Sequence, residues 1–179
     1  GSVWFGSASA AADVVRYFPD TSPPQWVTYT YASGILPHPY VHDIMVATDG
    51  SVWFGTPSGV AHYSPGATPE WISYINGLAD AGVVSIAEDQ DGSMWFGHSI
   101  GYNGGGVTHF PMEGTPVQIK PSAGGLIAPY VGAIVLDESG RVWFGTPAGI
   151  SQYTADPTPA WVTLQINSVS DNRVEALAL

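Results

Sequence analysis

The chemistry-bearing side chains of this sequence are few. His38, His42 and Asp43 crowd into the stretch SGILPHPYVHD. Imidazole nitrogens and a carboxylate are metal-ligand types, so this is the first place to look for a metal. Pro37 and Pro39 make the run irregular, so the spacing of ligands on one helix face does not apply, and exposed loop histidines are the plain alternative. The stretch EDQDGS from Glu88 begins like a calcium loop but lacks the downstream glutamate. It stands where TDGS and ESGR stand elsewhere, which reads as an acidic turn. His62 and His109 occupy matching places in similar segments, and Gln152 takes that place in a later copy. That equivalence marks a repeat position and not a site. No serine, histidine and carboxylate trio stands out. Cysteine is absent, which excludes disulfides, thiolate metal sites and cysteine nucleophiles. No catalytic residue, metal ligand or cofactor is assigned from the sequence.

A second group of residues suits binding. Tyr40, His42, Asp80, His98, Tyr102, Tyr130 and Arg173 fall in the segments that differ most between otherwise similar stretches. Aromatic faces stack and polar tips select, which fits a carbohydrate or another small ligand. Arg173 is one of only four basic residues. An acidic sugar, a carboxylate ligand or the nearby Asp171 would each pair with it. Ordinary solvated loops are the competing reading, because loops vary freely.

Composition narrows the partners. Fifteen acidic residues against four basic ones give a formal charge of −11. Such a chain repels phosphate backbones and anionic membrane surfaces, so nucleic acid is excluded as a partner. No run is long and apolar enough to insert in a membrane as a helix. Hydrophobic residues make up 45% of the chain, so a packed core is expected.

The elements that hold the candidate residues come from a repeat. DGSVWFGTPSGVAHY returns as DGSMWFGHS and SGRVWFGTPAGISQY, and GSVWFGS opens the chain. Trp4, Trp53, Trp95 and Trp143 thus recur every ~40–50 residues. A GV..Y segment follows each phrase, then an outer run (QWVTYT, EWISYI, PVQIKP, AWVTLQ), then a V..I run at Val41, Val83, Val131 and Val174. Four short β-rich runs per repeat, bounded by Gly, Pro, Asn or Asp, read as four strands. The fold class is all-β: β-propeller blades of four antiparallel strands, about four repeats, near 1–49, 50–91, 92–139 and 140–179 of a single domain. Trp53 and Phe54 then point to opposite faces and fill the gaps to adjacent blades. Gly55 lets the neighbouring backbone approach. The V..I run is innermost, and the loops into it share one face with the loops between the second and third strands.

These residues carry a family resemblance. V..I..D..G.VWFGT..GV..Y.P...W resembles the two-component-regulator propeller repeat and is also similar to repeats of streptogramin-lyase-type propellers. The resemblance implies a noncatalytic, periplasmic or extracellular sensor or scaffold propeller that recognises carbohydrate. The alternative it carries is a metal-dependent lyase or hydrolase with a channel-centred site. No Glu and His cluster like that of the lyases can be placed here.

The phase of the repeat adds one expectation. Gly50, Gly92 and Gly140 each follow the inner valine by the same offset, and the position matching them after Val174 lies beyond Leu179. RVEALAL and GSVWFG are therefore expected as first and second strands of one blade. Three arrangements satisfy this: a four-bladed ring, a second copy completing a larger ring, or part of a longer propeller.

Overall fold

The computed structural model describes residues 1–7, 13–122, 125–155, 158–165 and 172–178. Its strands form four antiparallel sheets in chain order. The first contains β1 (Val3–Phe5), β2 (Asp13–Phe18) and β3 (Gln25–Thr30). The second contains β4 (Asp43–Val46), β5 (Val52–Thr56), β6 (Gly59–Ser64) and β7 (Glu70–Tyr74). The third contains β8 (Val83–Glu88), β9 (Met94–His98), β10 (Val107–Phe110) and β11 (Val117–Ile119). The fourth contains β12 (Ala133–Leu136), β13 (Val142–Thr146), β14 (Gly149–Thr154) and β15 (Ala160–Leu164). Each sheet is a simple meander, which short Gly-containing turns permit. These are the expected all-β propeller blades.

β5 and β9 are buried along their whole length, which is why they read as continuous apolar runs. Alternate side chains leave by opposite faces. Trp53 packs toward the third sheet with Met94 and Phe96, while Phe54 packs back toward Trp4 and Tyr29 of the first. Trp95 and Phe96 repeat the division one sheet later. Each buried aromatic contributes about 1.5–3 kcal/mol by area alone. Trp143 departs from Trp53 and Trp95, which are buried. It is half-buried, because among the described residues no further sheet covers its face, and its indole N–H donates to Asp137 Oδ2 at 2.9 Å.

The glycine of each VWFG phrase is a notch for the next inner strand. A methyl group on Gly55 would come within 3.1 Å of the Val83 carbonyl, and one on Gly145 within 3.1 Å of the Val174 carbonyl. Gly6 and Gly97 receive Val41 and Val131 in the same way. The carbonyl one residue further on accepts the valine N–H: Val41 to Ser7 at 3.0 Å, Val131 to His98 at 3.1 Å and Val174 to Thr146 at 2.9 Å. One valine, one glycine and one backbone bond thus set the spacing of successive sheets.

Among the described residues no strand lies inside β1, and residues 172–178 belong to no ladder. The expected pairing of RVEALAL with GSVWFG is not made among the described residues of the single chain. Val174 nevertheless occupies the innermost position beside the fourth sheet.

Candidate functional site at the inner-strand mouth

The loops into the inner strands and the loops between second and third strands lie on one face. Gly106 N–H donates to Pro129 at 2.7 Å, and Ser99 N–H to Gly82 at 2.9 Å. Tyr40, Tyr130 and Arg173 stand immediately before Val41, Val131 and Val174, so the docked valines place all three at one equivalent position; Gly82 holds it before Val83. His42 stands just after Val41, matched by Val84, Gly132 and Glu175.

Two clefts open here and share Gly132 and Glu175. One, of about 290 Å³, is lined by Tyr130, Pro147, Arg173 and Val174 as well. The other, of about 260 Å³, runs across the inner strands and includes His42, Asp43, Ser85, Ile134 and Leu177. The structure therefore brings Tyr130, Arg173 and Glu175 together, with His42 in the adjoining cleft. Arg173 Nη1 donates to Glu175 Oε1 at 3.3 Å. Asp171, its other sequence partner, lies outside the described residues. Tyr40 is half-buried, its N–H donating to His38 Nδ1 at 3.0 Å and its ring edge-on to His38.

The trio that suggested a metal is spent on backbone. His38 binds Tyr40 N–H, His42 Nδ1 donates to the Val83 carbonyl at 3.2 Å, and Asp43 accepts Ile86 N–H at 2.7 Å. Burial raises the Asp43 carboxyl above its ordinary range, against the pull of the Ile86 and Ile44 amides. Among the described residues no three His, Asp or Glu side chains converge as a metal site requires.

Asp80, in the loop before β8, and His98, at the end of β9, are buried instead of facing solvent at the mouth. Asp80 is 3% exposed and accepts the N–H groups of Ala81, Gly101, Asn103 and Gly105. Burial pushes its carboxyl up, but those amide bonds outweigh it and the net shift is downward. Lys120 mirrors it, donating to the carbonyls of Ala79, Asn103 and Gly105. Sequence reading passed over Lys120; its place just after β11, next to the longest loop, is the signal that was available. Anion on amides and cation on carbonyls together fix the loop after His98, where Gly104, Gly105 and Gly106 all take positive φ. The second and fourth sheets need no such clamp. Their turns close when Thr56 donates to the Gly59 carbonyl and Thr146 to that of Gly149, each at 2.8 Å.

His98 replaces that threonine in the third sheet. It is fully buried, bonded through Nε2 to Thr108 Oγ1 at 2.8 Å, and burial lowers it to about 4. Tyr102, at the tip of the clamped loop, is fully exposed.

Residues 77–99 and 125–148 each match the family model described as two component regulator propeller. No curated protein matches the chain. Among solved structures the chain is similar to the extracellular domain of a putative one component system, BT4673, of B. thetaiotaomicron, with 19% identity, a TM-score of 0.73, and coverage of 98% of this chain and 23% of that one. The extracellular domain of a putative hybrid two component system of the same organism, BT3049, gives 21%, 0.71, 96% and 24%. Virginiamycin B lyase from Staphylococcus aureus gives 17%, 0.64, 94% and 54%. The chain spans about a quarter of the two extracellular domains and about half of the lyase. It is built of β-propeller blades, and its third and fourth inner hairpins carry the two-component regulator propeller repeat.

Proposed function

We propose that the chain is a noncatalytic ligand-binding module of an extracellular sensor or scaffold propeller, with a carbohydrate, foremost a carboxylated sugar, as its ligand. The observation that carries this reading is the cleft where Tyr130, Arg173 and Glu175 meet at the end of the inner strands. A phenol ring offers a stacking face, the guanidinium a fork for a carboxylate, and Glu175 an acceptor for hydroxyls. Likeness to extracellular domains of sensor systems supports the setting. Tyr40 and His42 extend the same face, and Tyr102 overlooks it from the clamped loop. Asp80 and His98 act indirectly, by holding that loop.

The test is thermal shift with neutral oligosaccharides and sugar acids, because a ligand bound only by the folded state raises the Tm. A sugar acid is expected to raise it in the native chain and not in a Tyr130→Ala, Arg173→Gln double variant. A shift that survives the double variant moves the site elsewhere. No shift with any compound rejects the carbohydrate reading.

A further inference from the structure

The hairpins that join first and second strands lie at the far end of the sheets from the mouth. A cleft of about 370 Å³ opens between those of the second and third sheets, and one of about 390 Å³ between those of the third and fourth. The hairpins are copies of one design. Gly50, Gly92 and Gly140 donate their N–H to the carbonyls of Ala47, Asp89 and Asp137, so these three residues are equivalent. Trp95 and Trp143 donate their indole N–H to Asp89 and Asp137 at 2.8 and 2.9 Å. Trp53 holds the same pose as Trp95. Its ring stacks on His62 at 4.0 Å, as that of Trp95 does on His109 at 4.3 Å. Its N–H meets no carboxylate, because Ala47 stands where the aspartates do, and both residues line the cleft. Trp53 is 7% exposed, and among the described residues its N–H has no acceptor. A buried donor left in that state costs free energy that an incoming acceptor recovers.

The wall around that donor is acidic. Asp49, Glu88 and Asp91 line the cleft, and no lysine or arginine does. Bonds from Ser51 and Ser93 hold Asp49 and Asp91 below the ordinary carboxylate range, so both are charged at neutral pH. His62 adds no compensating charge. Burial lowers its pKa against the pull of Asp49, and its Nδ1 is buried with no partner. The acidic groups do not converge as a metal ion requires. The cation that suits them is extended and carries its own oxygen. A hydroxyl accepts from the indole N–H and gives its proton to a carboxylate, whereas a carbonyl has nothing to give an acidic wall. An ammonium beside the hydroxyl answers the charge.

We propose that this cleft binds an amine with neighbouring hydroxyls, the chemistry of an amino sugar, with a hydroxyl oxygen on the Trp53 indole N–H and the ammonium among Asp49, Glu88 and Asp91. The site is separate from the cleft of Tyr130 and Arg173 and does not depend on it. The neighbouring cleft between the third and fourth sheets is not a second copy, because Asp89 already occupies the indole N–H there.

NMR of the indole N–H groups tests this, with glucosamine as the probe at about pH 6, where an amine of this kind is charged. The Trp53 signal is identified by its loss in Trp53→Phe. Glucosamine is expected to move that signal saturably and to leave those of Trp95 and Trp143 in place. Glucose, which lacks the charge, is expected to bind roughly tenfold more weakly or less. Ala47→Asp installs the residue that the neighbouring sheets carry, so the fold is kept. Its Trp53 signal is expected to move toward those of Trp95 and Trp143 and to stop responding to glucosamine. A Trp53 signal that ignores glucosamine overturns the proposal. So does a response that survives Ala47→Asp, that Trp95 shares, or that glucose matches.

Discussion

The interior of each sheet interface rests on one indole, and the indoles differ in what covers them. Trp95 is 1% exposed, stacks on His109 with ring centroids 4.3 Å apart, and donates to Asp89 Oδ2 at 2.8 Å. Trp95→Ala is expected to cost about 3–5 kcal/mol in urea unfolding, as large-to-small core changes do. Trp143→Ala removes a half-buried ring and is expected to cost clearly less in the same unfolding experiment. His98 gives a pH signature. Its folded value of about 4 lies below the ordinary 6.5, so the unfolded chain takes up the proton first. Stability is full above 6.5 and falls as pH drops toward 4, by on the order of 3 kcal/mol. In His98→Thr, which restores the residue found at Thr56 and Thr146, the slope of stability between those pH values is expected to flatten, whatever happens to its height. Asp80 acts lower down. Its depressed carboxyl stabilises above the ordinary carboxylate range and loses that contribution as pH falls through its folded value.

At the scale of elements, the strands were legible in the sequence because burial on both faces writes a strong pattern. VWFG and MWFG are apolar throughout, and the glycine that ends each phrase has the role its size suggests. The mouth was legible in part. Tyr40, Tyr130 and Arg173 stand out because they interrupt a repeat at one position, and the docked valines put them on one face. Asp80 and His98 interrupt the repeat for a different reason. A longer loop needs internal polar anchors, and from the sequence alone an anchor that is buried looks the same as a side chain that greets solvent. The clamp makes its own prediction. Lys120→Met leaves three carbonyls without their cation and is expected to speed proteolysis within residues 99–105, while the ladders of β8 to β10 keep their amide protection. Unaltered proteolysis would assign loop order to Asp80 alone.

For the whole molecule, net charge governs how copies meet. Each copy carries −11, so two copies repel as they approach. Salt screens that repulsion. The second virial coefficient from light scattering is therefore expected to be positive at about 20 mM salt and to fall as ionic strength is raised to about 150 mM, a range in which the Debye length shortens from ~20 Å to ~8 Å. A coefficient that rises with salt would point to attraction between copies through ion pairs.

The valine seated in each glycine notch has a consequence for how the molecule comes apart. Every notch couples a sheet only to the one that follows, so the sheets behave as links whose strength is the sum of their own hydrogen bonds and the junctions on either side. Links with two junctions outlast links with one. In a single chain, amide exchange is expected to begin in β1–β3 and β13–β15 and to reach β5 and β9 last, as fraying that travels inward from both ends.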